Sequence, residues 1–308
     1  VQNEFALIVN PRAGRRTFVW SESSLRALFE PLGFSVSIRE TRAPGDACRI
    51  AREIAGLVRV IGVAGGDGTV HEVINGLLPH RTPIVVVPSG SGNDFASLVR
   101  SPATPSELAD VVGRGVGAEL DALTVGERYC VNSAGLGFEG LVNRLSHGGA
   151  RLGGRTRYAL ALLRALGSRA RFRFRIVSSR GEDVSGEMLL VSVGNGRRTA
   201  GAFFLTPRAF PDDGLIDVCV VEAMSRAKML RILPRSLSGT HVARPEVRML
   251  RAEAFTVEAD EGYPMHIDGE YVEAPPGRCE IAIIPGAIRV LCRESAANVL
   301  SKGLKKIL

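Results

Sequence analysis

The spacing of apolar and polar residues changes partway along the chain. In the first third, short apolar runs at Phe5 to Val9, Phe34 to Ile38, Val58 to Val63 and Ile84 to Val87 alternate with stretches of helical spacing. That alternation predicts strands separated by helices, hence an α/β domain with a parallel sheet. Ala47, Ile50, Ala51 and Ile54 share one helical face, as do Val70, Val73, Ile74, Leu77 and Leu78. Thr104-Pro105-Ser106-Glu107 reads as a capping box with proline at N1, opening a helix through about Val112. Around Gly113 to Gly117 the pattern turns strand-like and stays so to about Pro285, with runs at Arg171 to Val177, Met188 to Val193, Leu215 to Val221 and Cys279 to Ile284. We therefore expect an α/β domain over 1–124 and a β-rich domain over 125–288. In the tail, Ala297, Leu300, Leu304 and Leu308 recur at near-helical spacing, so the segment from Glu294 is expected to pack back onto one of the domains.

Composition agrees with two folded domains. The 308 residues are 45% hydrophobic and 23% charged, which excludes disorder, collagen and coiled coil as dominant states. The longest stretch free of charge, Thr82 to Asn93, is interrupted by proline and glycine and is far short of the roughly 20 residues of a spanning helix. Val1 to Val9 reads as a strand, so no export signal is expected. Five scattered cysteines without a CxxC pair suggest neither a disulfide framework nor a zinc site, and a reducing cytoplasm fits. The net charge of +7 comes almost wholly from arginine, since Lys228, Lys302, Lys305 and Lys306 are the only lysines. A Walker-type phosphate loop, which needs a lysine after glycine, is excluded.

Phosphate chemistry is still indicated. Gly65-Gly66-Asp67-Gly68-Thr69 follows an apolar strand and opens an amphipathic helix, where backbone N–H groups and the positive helix end can hold an anion without lysine. Asp67 would repel a bare phosphate but suits a Mg²⁺ carried by a nucleotide. The plainer alternative is a tight turn that uses glycine for positive φ. Asn10-Pro11-Arg12-Ala13-Gly14 and Pro88-Ser89-Gly90-Ser91-Gly92-Asn93-Asp94 end two further strands. Each alone is an ordinary turn signal. In an open parallel sheet such loops converge on one crevice, and together they suggest a phosphate cradle with a metal carboxylate. Late in the chain, Asp268-Gly269-Glu270 supplies two carboxylates, and phosphoryl transfer needs one near the attacking hydroxyl. Glycine between them permits a sharp turn that aims both into a cleft; an exposed hairpin turn is the alternative. Gly135-Leu136-Gly137-Phe138-Glu139-Gly140 fits GxGxxG, but no acid lies between Gly140 and Gly181 to hold a ribose, so we reject a dinucleotide site there. His71, His80, His147, His241 and His266 show no ligand spacing.

These motifs, with Asn75-Gly76, Phe95-Ala96, Asn132-Ser133-Ala134, Thr206-Pro207 and Asp213-Gly214-Leu215, occur in the order seen in the diacylglycerol kinase catalytic-domain family of soluble lipid kinases, which the chain resembles over residues 10 to 270. The resemblance implies a nucleotide-binding first domain, a sandwich-like second domain that takes the lipid substrate, an active site in the cleft between them and a chain end, about 289–308, that returns to the first. It implies ATP as co-substrate, contacted by Asn10, Pro11, Arg12, Ala13, Gly14, Thr41, Gly65, Gly66, Asp67, Gly68, Thr69, Val70, His71 and Ser91. Asp67 would serve the Mg-nucleotide beside an acidic network with Asp94 and Asp121. Asp268 and Glu270 would deprotonate the lipid hydroxyl, and a structural Mg²⁺ would sit on Phe210, Asp213 and Leu215. Ser91 stands where threonine is commoner, Glu139 where aspartate is usual and Ala13 where serine is common. An NAD kinase or another kinase with a Gly-Gly-Asp-Gly loop is the enzymatic rival, and a silent lipid-binding regulator the other. The Asn-Pro loop, the Gly-Asn-Asp segment and the Asp-Gly-Glu turn favour the lipid kinase. Diacylglycerol, a monoacylglycerol, phosphatidylglycerol and a sphingoid base all remain open as acceptor, and so does a homodimer. Nothing calls for a nucleic acid.

A kinase of this kind must reach lipid, so peripheral contact with an anionic membrane surface is expected. Between Glu139 and Glu182 lie Arg144, Arg151, Arg155, Arg157, Arg164, Arg169, Arg171, Arg173, Arg175 and Arg180 without an acid. Arg171, Arg173 and Arg175 alternate with Phe172, Phe174 and Ile176, predicting a strand with one wholly cationic face. Tyr158, Leu160, Leu162, Leu163 and Leu166 form the apolar part of an expected helix.

Overall fold

Strands covered on both faces need uninterrupted apolar runs, and the first third supplies them. The computed structural model describes residues 2–14, 21–90, 92–146, 154–168 and 170–308. Its chain begins β1 (Gln2–Val9), α1 (Glu22–Phe29), β2 (Ser35–Glu40), α2 (Asp46–Ile54), β3 (Val58–Gly65), α3 (Asp67–Leu77), β4 (Ile84–Pro88), α4 (Asp94–Leu98), α5 (Pro105–Arg114) and β5 (Val116–Val125). The first four strands are parallel in the order β2-β1-β3-β4. Val9 lies beside Glu40 and Ala64, and Gly65 beside Pro88, so the strands finish along one edge. Phe5, Leu7, Val60 and Val85 meet Leu25 and Phe29 of α1 and Leu108 and Val112 of α5. Ala6, Ile8, Ile61 and Val63 alternate with them onto the other face and are fully buried, as are Val73 and Ile74 of α3. α2 and α3 pack so closely that a Cβ on Gly76 would fall 2.0 Å from the Cys48 carbonyl oxygen.

The capping box of α5 forms with a shift of one residue on its return arm. Thr104 Oγ1 accepts the Glu107 N–H at 3.2 Å, and the Glu107 carboxylate accepts from Ala103 N–H at 2.8 Å, one residue before the cap. The helix runs two residues past Val112 to a left-handed Gly115, φ +60°.

The β-rich part contains β6 (Arg128–Cys130), β7 (Ser133–Gly137), α6 (Phe138–Ser146), α7 (Gly154–Gly167), β8 (Phe172–Ser178), β9 (Asp183–Gly194), β10 (Ile216–Glu222), α8 (Arg226–Ser236), β11 (Val247–Ala252), β12 (Ala254–Ala259), β13 (Tyr263–Ile267), β14 (Glu270–Ala274) and β15 (Gly277–Leu291). Pairings of these strands with one another are antiparallel, and β9 is the hub. Met188 pairs with both Phe172 and Glu222, and Gly194 with both Ser133 and Asp217, so β8 and β7 share one edge of β9 while β10 takes the other. Leu136, Phe174, Val191, Val218, Phe255 and Met265 belong to its main core. A second cluster joins Phe138 and Leu141 of α6, Ala161 and Ala165 of α7 and Met229 of α8 to Leu190 and Cys219. One compact unit comprises residues 1–122, 211–213 and 285–308, and the other 123–210 and 214–284, so β5 and β15 each run through a boundary. Among the described residues no helix is long and apolar enough to cross a membrane.

Two expectations need correction. The tail is not an α-helix: a 3₁₀ segment, Glu294–Val299, gives way to β16 (Lys305–Lys306), which pairs with Gly117 and Val116 of β5. Helical hydrogen bonding is pre-empted because the Asp212 carboxylate takes the N–H groups of Ser301 and Lys302, at 2.7 and 2.6 Å, and Gly303 then turns left-handed at φ +72°. Ile307 and Leu308 pack against the core of the first unit. The arginine face of β8 is not wholly cationic either. Antiparallel neighbours set Glu187 3.1 Å from Arg171, and Asp183 and Glu258 2.7 and 3.3 Å from Arg175, while Glu253 pairs with Arg180 at 2.6 Å. Arg151 and Arg169 lie outside the described residues.

Candidate active site

At the finishing edge of the parallel sheet, three loops touch. The Asn10 side-chain amide donates to Thr69 Oγ1 at 3.0 Å, joining the first loop to the second. A Cβ on Gly14, at φ +73°, would lie 1.8 Å from the Ser89 carbonyl oxygen, so first and third loops meet backbone to backbone. A Cβ on Gly90 would lie 2.5 Å from Gly66 Cα, which joins the third to the second. Glycine is required here for close approach. Asn10 also shapes its own loop, its Oδ1 accepting from Arg12 N–H at 3.0 Å and its carbonyl from Ala13 N–H at 3.1 Å. Thr41 is anchored at the same edge by its N–H to the Val9 carbonyl, 2.9 Å.

Gly66 caps α3 in an extended conformation, and the first-turn N–H groups of this 11-residue helix have no helical acceptor. Asp67, at the first position, suits the positive end of the helix. One of its oxygens accepts Phe95 N–H at 3.2 Å. Its Oδ2 and that of Asp94 lie 2.8 and 3.9 Å from the point where a Cβ on Gly92 would stand, so two carboxylates face one small space. Oxygen donors of this kind fit Mg²⁺. Among the described residues no group of three or more His, Cys, Asp or Glu side chains converges as a metal cluster. Asp121, 1% exposed on β5, accepts Gly286 N–H at 2.8 Å, and its own N–H donates to the Pro211 carbonyl at 2.7 Å. Val70 and His71 are buried in the first turns of α3. Ser91 lies outside the described residues.

In the second unit the Asp-Gly-Glu segment is a two-residue hairpin between β13 and β14, with Ile267 opposite Glu270. Asp268 and Gly269 adopt φ of +50° and +89°, the twist that Asp-Gly favours in such turns. The two acids of the turn differ in exposure. The Asp268 carboxylate, 7% exposed, turns inward and accepts from the N–H groups of Val131, Asn132 and Ser133 at 2.9, 2.8 and 3.1 Å. Cys130 adds its thiol at 3.2 Å; burial, and then the Asp268 charge, push that thiol well above its ordinary pKa, so it stays a proton donor. Glu270 opens β14 and is exposed. Phe210 and Leu215 belong to the second unit and Asp213 to the first, while neighbouring Asp212 is committed to the tail.

Sequence reasoning missed a buried polar cluster beside the turn. Glu139 Oε2 lies 3.1 Å from His266 Nε2, and Asn143, one helical turn after Glu139, donates to the Gly269 carbonyl at 2.6 Å. The pair is 127 positions apart in sequence. The only signal was the GxGxxG pattern, rejected as a dinucleotide site.

Comparison with known proteins gives the family. Residues 4–125 match the family model "Diacylglycerol kinase catalytic domain", and 132–292 match the "YegS C-terminal NAD kinase beta sandwich-like domain". A diacylglycerol kinase of Mycobacterium tuberculosis is 32% identical over 248 residues, 79% of each chain. One of Bacillus subtilis is 30% identical over 278 residues, 88% of this chain and 91% of that one. The crystal structure of a putative diacylglycerol kinase from Bacillus anthracis superposes with a TM-score of 0.76 at 26% identity, over 96% of this chain and 98% of that one. The matched models and these relatives define the class as lipid kinase. The chain belongs to the diacylglycerol kinase family.

Proposed function

We propose that the chain transfers the γ-phosphoryl group of Mg-ATP to the hydroxyl of a lipid, diacylglycerol-like or sphingoid-like. The observation that carries this reading is the mutual contact of the three glycine loops, Gly14 on Ser89, Gly66 on Gly90 and Asn10 on Thr69. First-turn N–H groups of α3 cradle the phosphates, and Asn10 to Gly14, Thr41, Gly65 to His71 and Ser91 contact the nucleotide. Asp67, with Asp94 beside it, would hold a Mg²⁺ carried by the nucleotide, and that ion would neutralise phosphate charge. The lipid hydroxyl oxygen attacks the γ-phosphorus, the bond to the β–γ bridging oxygen breaks, and ADP leaves. The hydroxyl proton goes to Glu270, the exposed acid of the turn, while Asp268 holds that turn in place.

The acceptor dissolves in a bilayer, so the enzyme works at its surface. The second unit supports peripheral docking there through α7 and α8, neither of which carries an acid. Leu163 and Leu230 are 65% and 59% exposed on their outer faces among Arg164, Lys228, Arg231 and Arg235.

Transfer of label from γ-labelled ATP to diacylglycerol, monoacylglycerol, phosphatidylglycerol and sphingoid base in mixed micelles tests the reading. Label should enter at least one lipid, and Asp67→Ala should abolish transfer with the fold intact. Labelling of NAD or a sugar and no lipid, or wild-type turnover in Asp67→Ala at matched Mg²⁺ and ATP, would sink it.

A further inference from the structure

Gly269, the hinge between Asp268 and Glu270, is gripped from both sides. Its N–H donates to His266 Nδ1 at 3.3 Å, and its carbonyl accepts from Asn143 Nδ2 at 2.6 Å. A backbone N–H can only donate, so Nδ1 is the acceptor, the imidazole proton sits on Nε2, and Nε2–H donates to Glu139 Oε2 at 3.1 Å. Glu139 and Asn143 are four residues apart on one face of α6, so a single helix fixes both arms of the grip. All three side chains are at least nine-tenths buried.

The packing around this trio leaves room for little else. A Cβ on Gly135 would stand 2.2 Å from Glu139 Oε2 and 2.5 Å from His266 Nε2, and one on Gly140 would stand 2.3 Å from the Pro264 carbonyl. The glycines of the GxGxxG pattern thus let α6 lie directly on β7 and β13. Stability alone does not call for such a cluster, because apolar side chains of similar volume fill a buried site at lower desolvation cost. Glu139 Oε1 is buried with no hydrogen-bond partner among the described residues, an arrangement that costs stability.

We propose that Glu139, His266 and Asn143 are positioning residues for phosphoryl transfer, holding the Gly269 peptide so that Glu270 stands where the acceptor hydroxyl presents its proton. The proposal rests on the reading of Glu270 as proton acceptor. A reacting group misplaced by about 1 Å can cost up to about a hundredfold in rate. His266→Leu and Asn143→Leu should each lower kcat about tenfold or more, with KM for Mg-ATP within about twofold of wild type. His266→Gln, whose amide oxygen can accept the Gly269 N–H, should recover most of kcat, which a filler of space would not explain. Glu139→Leu should follow His266→Leu, and Glu139→Gln, whose amide oxygen can still accept the Nε2–H, should recover part of that loss. If His266→Leu does not fold, the two Glu139 variants read the same link one bond further out. Glu270→Gln runs beside them. Folded leucine variants with wild-type kcat beside an inactive Glu270→Gln would overturn the positioning role alone; an active Glu270→Gln would overturn the proton-acceptor reading and this proposal with it.

Discussion

An Asp268→Asn substitution keeps one side-chain oxygen, which can go on accepting from Asn132 and Ser133, but turns an NH₂ group toward the Val131 N–H. Leaving that buried donor unpaired costs about 1–3 kcal/mol, so the denaturation midpoint should fall. Glu270→Gln, on an exposed strand end, should leave the midpoint unchanged and lower kcat by about 10² to 10⁴. Parallel melting curves and turnover measurements check both, and equal midpoints for the two variants would contradict the division of roles. The raised thiol pKa of Cys130, which comes from burial and from the Asp268 charge, also predicts that the folded protein resists alkylation there at neutral pH while the unfolded chain does not. The turn itself was legible in the sequence, because Asp-Gly between apolar strands is a hairpin signal. Which carboxylate faces inward was not, because the three N–H groups that claim Asp268 lie more than 130 positions earlier in the chain.

Strand ends and loops were the most legible elements, since glycine and proline punctuate apolar runs and the parallel order follows from the alternation with helices. The contact between loops has a testable counterpart. Gly90→Ala would press a Cβ onto Gly66 Cα, backbone against backbone where no side chain can yield, so KM for Mg-ATP should rise while β3 and β4 keep their pairing. The tail was the least legible element, since its apolar spacing says nothing of a carboxylate that captures its N–H groups. Asp212→Ala should release the tail and make Lys302 and Lys305 sites of rapid tryptic cleavage, the rest of the chain staying resistant. Glu119 fastens the same tail through Lys305, with Arg81 and Arg289 beside it, and the Lys305 hydrogen bond followed by these charges holds its carboxyl below the ordinary glutamate value despite partial burial. A depressed carboxylate contributes stability that is present above its unfolded pKa of about 4.3 and is lost as pH falls through the lower folded value. Exchange of the Ile307 amide, which donates to the Gly115 carbonyl at 2.7 Å, should therefore show growing opening in acid, and in Glu119→Gln already at neutral pH.

At the scale of the whole molecule the net charge of +7 has to be located before it can be used. Counting along the chain put most of the positive field on the segment between Glu139 and Glu182, the face of β8 included, because no acid falls within it. The count cannot see Asp183 and Glu187 on β9, or Glu253 and Glu258, which antiparallel pairing brings alongside. Exposed pairs of this kind contribute at most about 1 kcal/mol of stability each, but they do cancel the field of the strand. On α7 and α8, Arg164, Lys228, Arg231 and Arg235 share their surface with exposed leucines and with no acid of either helix; of these four, Lys228 alone meets a carboxylate, Glu246 at 3.2 Å, among the described pairs. A bilayer surface rewards that mixture, at about 1 kcal/mol per basic residue near anionic lipid and more for each leucine side chain fully withdrawn from water. Leu163→Ser with Leu230→Ser should therefore lower affinity for anionic vesicles by roughly tenfold or more, and Arg164→Gln with Arg231→Gln should flatten its dependence on anionic-lipid fraction. Arg171→Gln with Arg175→Gln should do neither. Raising salt from 0.1 M to 1 M shortens the Debye length from about 10 Å to about 3 Å and should remove the arginine contribution while sparing that of the leucines. Sedimentation with vesicles at both salts separates these effects, and a greater loss from the β8 pair than from the two leucines would return the docking surface to the sheet.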